Sequence, residues 1–267
     1  MLRKFRPLTG LEIGKTFDLQ EALNFGMLPR VWTLSSPEKK KDYLFSYVET
    51  YLREEIQQEA LARNLPAYSA FLEHMALRNS HVINLQNLAS QIGVARTTLK
   101  GYLEILEDTL LGMSLHPIQL KAKVKEVATP KFYFFDTGVV RGLSNALDEP
   151  MESLTKGAML ETYVLHELVC HSDYNSKRWQ FHYWATPTAS EVDFILSSGK
   201  TSIGIEVKSS NHWDKDFNYG LDILLDSGKI KKAYGVYTGQ EFIKKDRVSI
   251  IPAHLFSKYL HGNDFFI

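Results

Sequence analysis

The segment SEVDFILSSGKTSIGIEVKSS, residues 190–210, places two acids and a lysine on strand-like flanks. Val192, Phe194 and Leu196 alternate on one side of the turn, and Ile203, Ile205 and Val207 on the other. Gly199-Lys200 between them suits a tight hairpin with glycine first. A hairpin with that centre sets Asp193 opposite Glu206, with Cβ atoms about 4.5–5.5 Å apart, and Glu191 opposite Lys208. Like charges facing each other destabilise a sheet, so the pair calls for a compensating cation. Lys208 supplies one, and a hard divalent ion held by carboxylate oxygens would do more.

A third acid points to the same chemistry. Glu161 shares a helical face with Val164, Leu165 and Leu168 in KGAMLETYVLHEL. A carboxylate on an apolar stripe needs a partner, because an unpaired buried charge is costly. Gly204, two residues before Glu206, leaves room on that face for a ligand or backbone. Together these residues describe a metal-dependent hydrolase site. Asp193 and Glu206 would hold magnesium or manganese, with the Val207 carbonyl as a further ligand. Glu161 would complete the shell directly or through water. Lys208 would orient the attacking water and help deprotonate it, or offset charge developing on a phosphate.

The elements that must position this site form an α/β unit: a helix over MESLTKGAMLETYVLHELVCH, strands at WQFHYWA, SEVDFIL and TSIGIEVKS, a polar helix near 214–227, and a strand at KAYGVYTG. Upstream the chain is mainly helical. SSPEKKKDYLFSYVETYLREEIQQEALARN opens with Ser36 as N-cap and Pro37 at the first helical position, and carries helical periodicity. LQNLASQIGVARTTLKGYLEILED has the form of a helix-turn-helix with its turn at Gly93. Its second helix buries Leu99, Tyr102, Leu103 and Leu106, and exposes Arg96, Thr97 and Lys100 for phosphate and base contacts. The strand-like pieces LLGMSLHPI and KFYFFDTG, joined by a link bearing Lys121, Lys123 and Lys125 and followed by Lys131, would form a basic wing on the DNA backbone. The expected organisation is a linker segment over 1–34, a winged helix-turn-helix domain over 35–148 and the α/β domain over 149–267.

Composition bounds the partners. The 267 residues hold 31 lysines plus arginines against 31 aspartates plus glutamates, so DNA binding must come from local patches. The single cysteine, Cys170, excludes an internal disulfide and fits a reducing cytoplasm. No apolar run approaches the roughly 20 residues that span a bilayer. Two tempting motifs fail on spacing. Gly14-Lys15-Thr16 has its preceding glycine at Gly10, one residue too near for a phosphate-binding loop, so no ATP site is expected. In HELVCH, 166–171, the fourth position after His166 is Cys170, where a zinc-binding helix needs histidine.

KGAMLETYVLHEL, YWATPTASEVDFIL and IGIEVKSS, after PKFYFFDTGVVRGL and LEILEDTLLGMSL, resemble the C-terminal half of a family of prokaryotic AAA-type ATPases. FRPLTGLEIG and ALNFGMLPRVW are similar to the segments that follow the ATPase core in that family. The resemblance implies a winged helix followed by a domain of unknown function with a PD-(D/E)XK nuclease-like core and a central mixed sheet. The nuclease-like motif falls on Glu161, Asp193, Glu206 and Lys208, with Val192 in place of the usual proline. The ATPase core itself would lie upstream or in a partner chain. Three functions follow as expectations: a metal-dependent DNA endonuclease, a catalytically silent recognition module of an ATPase, and a protein-interaction or oligomerisation scaffold.

Overall fold

The computed structural model describes residues 5–51, 64–118, 128–175, 178–187, 190–245 and 247–262. The fold is mixed α/β with a mixed six-stranded sheet. The chain divides into two compact units. One comprises Gln20–Ser114 and Thr129–Glu152; the other is assembled from Met1–Leu19, Leu115–Ala128 and Ser153–Ile267.

The first of these is mainly helical. Its helices are α2 (Leu19–Phe25, whose first residue belongs to the other unit), α3 (Pro37–Ser46), α4 (Leu65–Ala76), α5 (Leu85–Ile92), α6 (Arg96–Asp108) and α7 (Thr137–Leu143). Ser36 caps α3, its side chain accepting the Lys39 N–H, with Pro37 in the first turn as the sequence predicts. A π-helical turn, Tyr47–Tyr51, continues α3; the rest of the expected long helix lies outside the described residues. Asn84 caps α5, and Gly93 ends it at φ +79°, a left-handed conformation that costs glycine nothing. α6 buries Leu99, Tyr102 and Leu106, while Leu103 is only half-buried. Strands β1 (Gly112–Leu115) and β2 (Lys131–Phe134) form a two-stranded sheet. Lys131, expected on an exposed wing, is instead buried at the start of β2. The link with Lys121, Lys123 and Lys125 lies outside the described residues.

The second unit begins with α1 (Gly10–Ile13), capped by Thr9, and the 3-10 turn Gly14–Thr16, whose three residues are exposed. It continues with α8 (Ser153–Tyr174), β3 (Gln180–Ala185), β4 (Glu191–Ser198), β5 (Thr201–Lys208), a 3-10 turn Lys215–Asn218, α9 (Tyr219–Asp226), β6 (Lys232–Tyr237), β7 (Ile243–Lys245), β8 (Val248–Pro252) and α10 (Ala253–His261). The sheet order is β3-β4-β5-β6-β8-β7. β3, β4 and β5 run antiparallel in sequence, β5, β6 and β8 pair in parallel, and β7 returns antiparallel on the edge. Helix α9 packs on β4, β5 and β6, and α8 packs on β5 and α10. Leu221 and Leu224 of α9 join Ile230, Ala233, Val248 and Ile250 in one apolar core. Burying such side chains contributes about 1.5–3 kcal/mol each, which fixes the strands that carry the acids.

Candidate active site

The β4–β5 hairpin closes at Gly199-Lys200, with Ser198 paired to Thr201 and Gly199 at φ +59°. The register runs inward to Phe194↔Ile205 and stops there. On the other side, β3 pairs His182↔Ile195 and Trp184↔Val192, so Tyr183 alone stands opposite both Asp193 and Phe194. That is a β-bulge, and a bulge re-aims the side chains beside it. Strict alternation would put Val192 with Phe194 and Leu196. Instead Val192 joins Ile195 in the core under α9. Asp193 does not continue a regular ladder opposite Glu206. Its Oδ2 accepts the Val207 N–H at 2.8 Å, replacing the hydrogen bond the ladder gives up. The expected Glu191–Lys208 pair likewise lies beyond the end of the ladder.

Gly204 corrects a second expectation. A Cβ there would lie 2.7 Å from Ile230 Cδ1 and 2.9 Å from Leu221 Cδ2. The space over Gly204 therefore admits core side chains, not a ligand.

Asp193, Glu206 and Lys208 do come together. Asp193 and Glu206 are each 5% exposed. Lys208, at the end of β5, donates a hydrogen bond from Nζ to Glu206 Oε1, and its side chain remains 32% exposed. Glu206 Oε2 is buried with no hydrogen-bond partner among the described residues. Burial, reinforced by the Asp193 charge, pushes the Glu206 carboxyl well above the usual carboxylate range, and Lys208 offsets only part of this. Burial works against the Lys208 ammonium too, but the charges of Asp193, Glu206 and Glu161 outweigh it and raise its pKa above the ordinary lysine value. Glu161 thus belongs to the same electrostatic group, although it is half-buried.

The fully buried acid of α8 is Glu167, which sequence reasoning passed over. Its Oε1 accepts the Gly10 N–H at 2.7 Å and its Oε2 accepts the Ser257 hydroxyl at 2.7 Å. Apolar periodicity could not single it out, because α8 is buried around nearly its whole circumference from Ala158 to Ser172. Nearby, His166 Nε2 lies 3.0 Å from the Leu8 carbonyl, and the Cys170 thiol is buried, with its pKa pushed up by burial and by Glu167. Such a thiol is protonated and inert.

Among the described residues no group of three or more His, Cys, Asp or Glu side chains is arranged to hold a metal ion. The donor set still suits a hard cation in part. Two buried carboxylates face one cationic neighbour, and one of their oxygens, Glu206 Oε2, has no hydrogen-bond partner among the described residues. In the helical unit, Arg96, Thr97 and Lys100 are exposed at the start of α6. Lys100 Nζ lies 3.5 Å from Glu104, four residues on, which offsets part of its charge.

Residues 156–256 match a second domain of unknown function, DUF4143, which is found in AAA-ATPase-associated proteins. Uncharacterized protein Rv2008c of Mycobacterium tuberculosis and uncharacterized protein Mb2031c of Mycobacterium bovis are each 27% identical to the chain over 233 residues. The alignment covers 85% of this chain and 51% of each relative, so the chain spans about half the length of the curated relatives it matches. No solved structure matches it. Among the described residues, no helix is long and apolar enough to cross a membrane. A further match, to the domain of unknown function DUF8612, covers residues 16–149, half of the 267-residue chain, and the protein belongs to that family.

Proposed function

We propose that the protein is the C-terminal part of an AAA-type ATPase system, acting on DNA in the cytoplasm through a PD-(D/E)XK nuclease-like, metal-dependent site. One observation carries this reading: the unpartnered Oε2 of buried Glu206, beside Asp193 and Lys208. An unsatisfied buried carboxylate oxygen costs free energy that a stability role would not retain. Asp193 and Glu206 would hold magnesium or manganese, with Glu161 reaching it through water. When bound, such an ion polarises a phosphoryl oxygen and lowers the pKa of water. The residues do the rest. Lys208, kept charged by three acids, orients a water by donating from Nζ and offsets negative charge building on the phosphate. The helical unit supports the reading as a winged helix, with Arg96 and Thr97 free to meet phosphates.

A second reading, a recognition module without turnover, is favoured by a different observation. Glu206 Oε1 is already taken by Lys208, and no metal-holding group of three acids is arranged among the described residues. Manganese titration by calorimetry on the native chain and on Asp193→Ala, paired with cleavage of branched and single-stranded DNA, separates the two. Binding that is lost in the variant, together with metal-dependent cleavage, supports the nuclease. Salt-dependent DNA binding with neither metal binding nor cleavage supports the silent module.

A further inference from the structure

Lys208 stands at the end of a strand with water at hand. A lysine there loses rotamer entropy if it is held in one place. The carboxylates pull on it from one side, and a second group meets it from another. Its Nζ sits over the Phe217 ring, 5.6 Å from the centroid, where the negative π-face attracts an ammonium.

That ring is itself fixed. Phe217 meets Trp213 edge to face, centroids 5.5 Å apart and planes at 84°. The Trp213 indole N–H donates to Asn218 Oδ1 at 2.8 Å. The indole packs closely against Gly235, where an added Cβ would come within 2.4–2.8 Å of three ring atoms. Gly235 is the register partner of Glu206 in the β5–β6 pair. The segment 213–218 is therefore an aromatic strap anchored on the strand beside Glu206 and ending under Lys208.

We infer that Phe217 is a positioning residue for Lys208, holding the ammonium on Glu206 Oε1 so that Oε2 is the oxygen left open. Its bearing on cleavage rests on the nuclease reading; the placement of the lysine does not. Without the ring face, the ammonium exchanges between Glu206 and solvent, and neither oxygen is reserved.

Brief acetic anhydride labelling of the full chain, with mass spectrometry comparing Lys208 against exposed Lys200 and Lys229, reads the placement directly. In Phe217→Met, which keeps apolar volume but lacks a π-face, Lys208 should label roughly three- to tenfold faster, with the reference lysines unchanged. Phe217→Leu should do the same, and Phe217→Tyr should restore the native rate. Equal Lys208 labelling in native, Met and Leu chains overturns the inference, as does a tyrosine variant that labels as fast as the methionine one. A manganese titration alongside keeps the two ideas apart. If the native chain binds no manganese, the nuclease reading fails while the labelling still decides the role of Phe217. If it binds and cuts DNA, Phe217→Met should slow cleavage in the native background and add nothing in Lys208→Met.

Discussion

Glu167 and Glu206 are both withdrawn from water, 0% and 5% exposed, yet their surroundings differ in kind. Glu167 has a donor on each oxygen, from Gly10 and Ser257, with His261 Nε2 a further 3.5 Å from Oε2. Glu206 has Lys208 on one oxygen and, among the described residues, no donor on the other, with Asp193 raising its pKa further. The first arrangement joins three elements distant in sequence. The second leaves a buried carboxyl oxygen without a hydrogen-bond partner among the described residues, the incomplete matching that the proposed ligand site requires.

Removing Glu167 should be the most damaging change. Glu167→Ala strands a buried N–H and a hydroxyl, and should cost about 3–5 kcal/mol in denaturant unfolding. A cost similar to that of Glu206→Ala would break the comparison. Asp193→Ala stands between the two: it orphans the Val207 N–H but relieves repulsion on Glu206, for a net loss of about 1–2 kcal/mol by the same measurement. Glu206→Gln should have the opposite sign. Because the folded carboxyl titrates above its unfolded value, its stabilising contribution is complete below the ordinary glutamate pKa of about 4.3 and is lost as pH rises through the raised folded value. In metal-free buffer near neutrality the glutamine variant should therefore be more stable than the native chain, with the advantage gone near pH 4. A flat difference across that range would refute the assignment. Smallest should be Ser257→Ala, which removes one of the donors on Glu167 and the acceptor of the Leu11 N–H, and should cost about 1 kcal/mol in thermal unfolding if His261 moves in beside Glu167 and water meets the N–H.

The site was legible where local chemistry fixes geometry. Alternation on both flanks of Gly199-Lys200 located the hairpin centre, and the Ser198–Thr201 and Phe194–Ile205 pairs share it. Ser36 and Pro37 announced α3 because a cap and a first-turn proline act within a few residues. The bulge at Asp193-Phe194 carries no such signal, since it arises only when β4 must satisfy β3 and β5 together. Glu167 was hidden for a related reason: its partners lie at residues 10 and 257, and no window of sequence contains all three. Strands β7 and β8 and helix α10 also went unread. β8 is a short run placed by parallel pairing with β6, and periodicity is a weak guide for such strands.

The Glu167 contacts also bear on the order in which the protein can be made. Gly10 precedes Glu167 by 157 residues, and Ser257 follows it by 90. Closing such loops carries an entropy cost that grows only slowly with length, so the finished network is affordable. Its timing is another matter. At about 5–20 residues per second, ribosomal synthesis needs roughly 5–18 s to travel from Glu167 to Ser257. Throughout that interval α8 has its acid but not the hydroxyl that completes it, while the helical unit encoded before it is already fully translated. The sheet-bearing unit is thus completed only after the helical unit has been translated, although its helix α1 is encoded ahead of that unit.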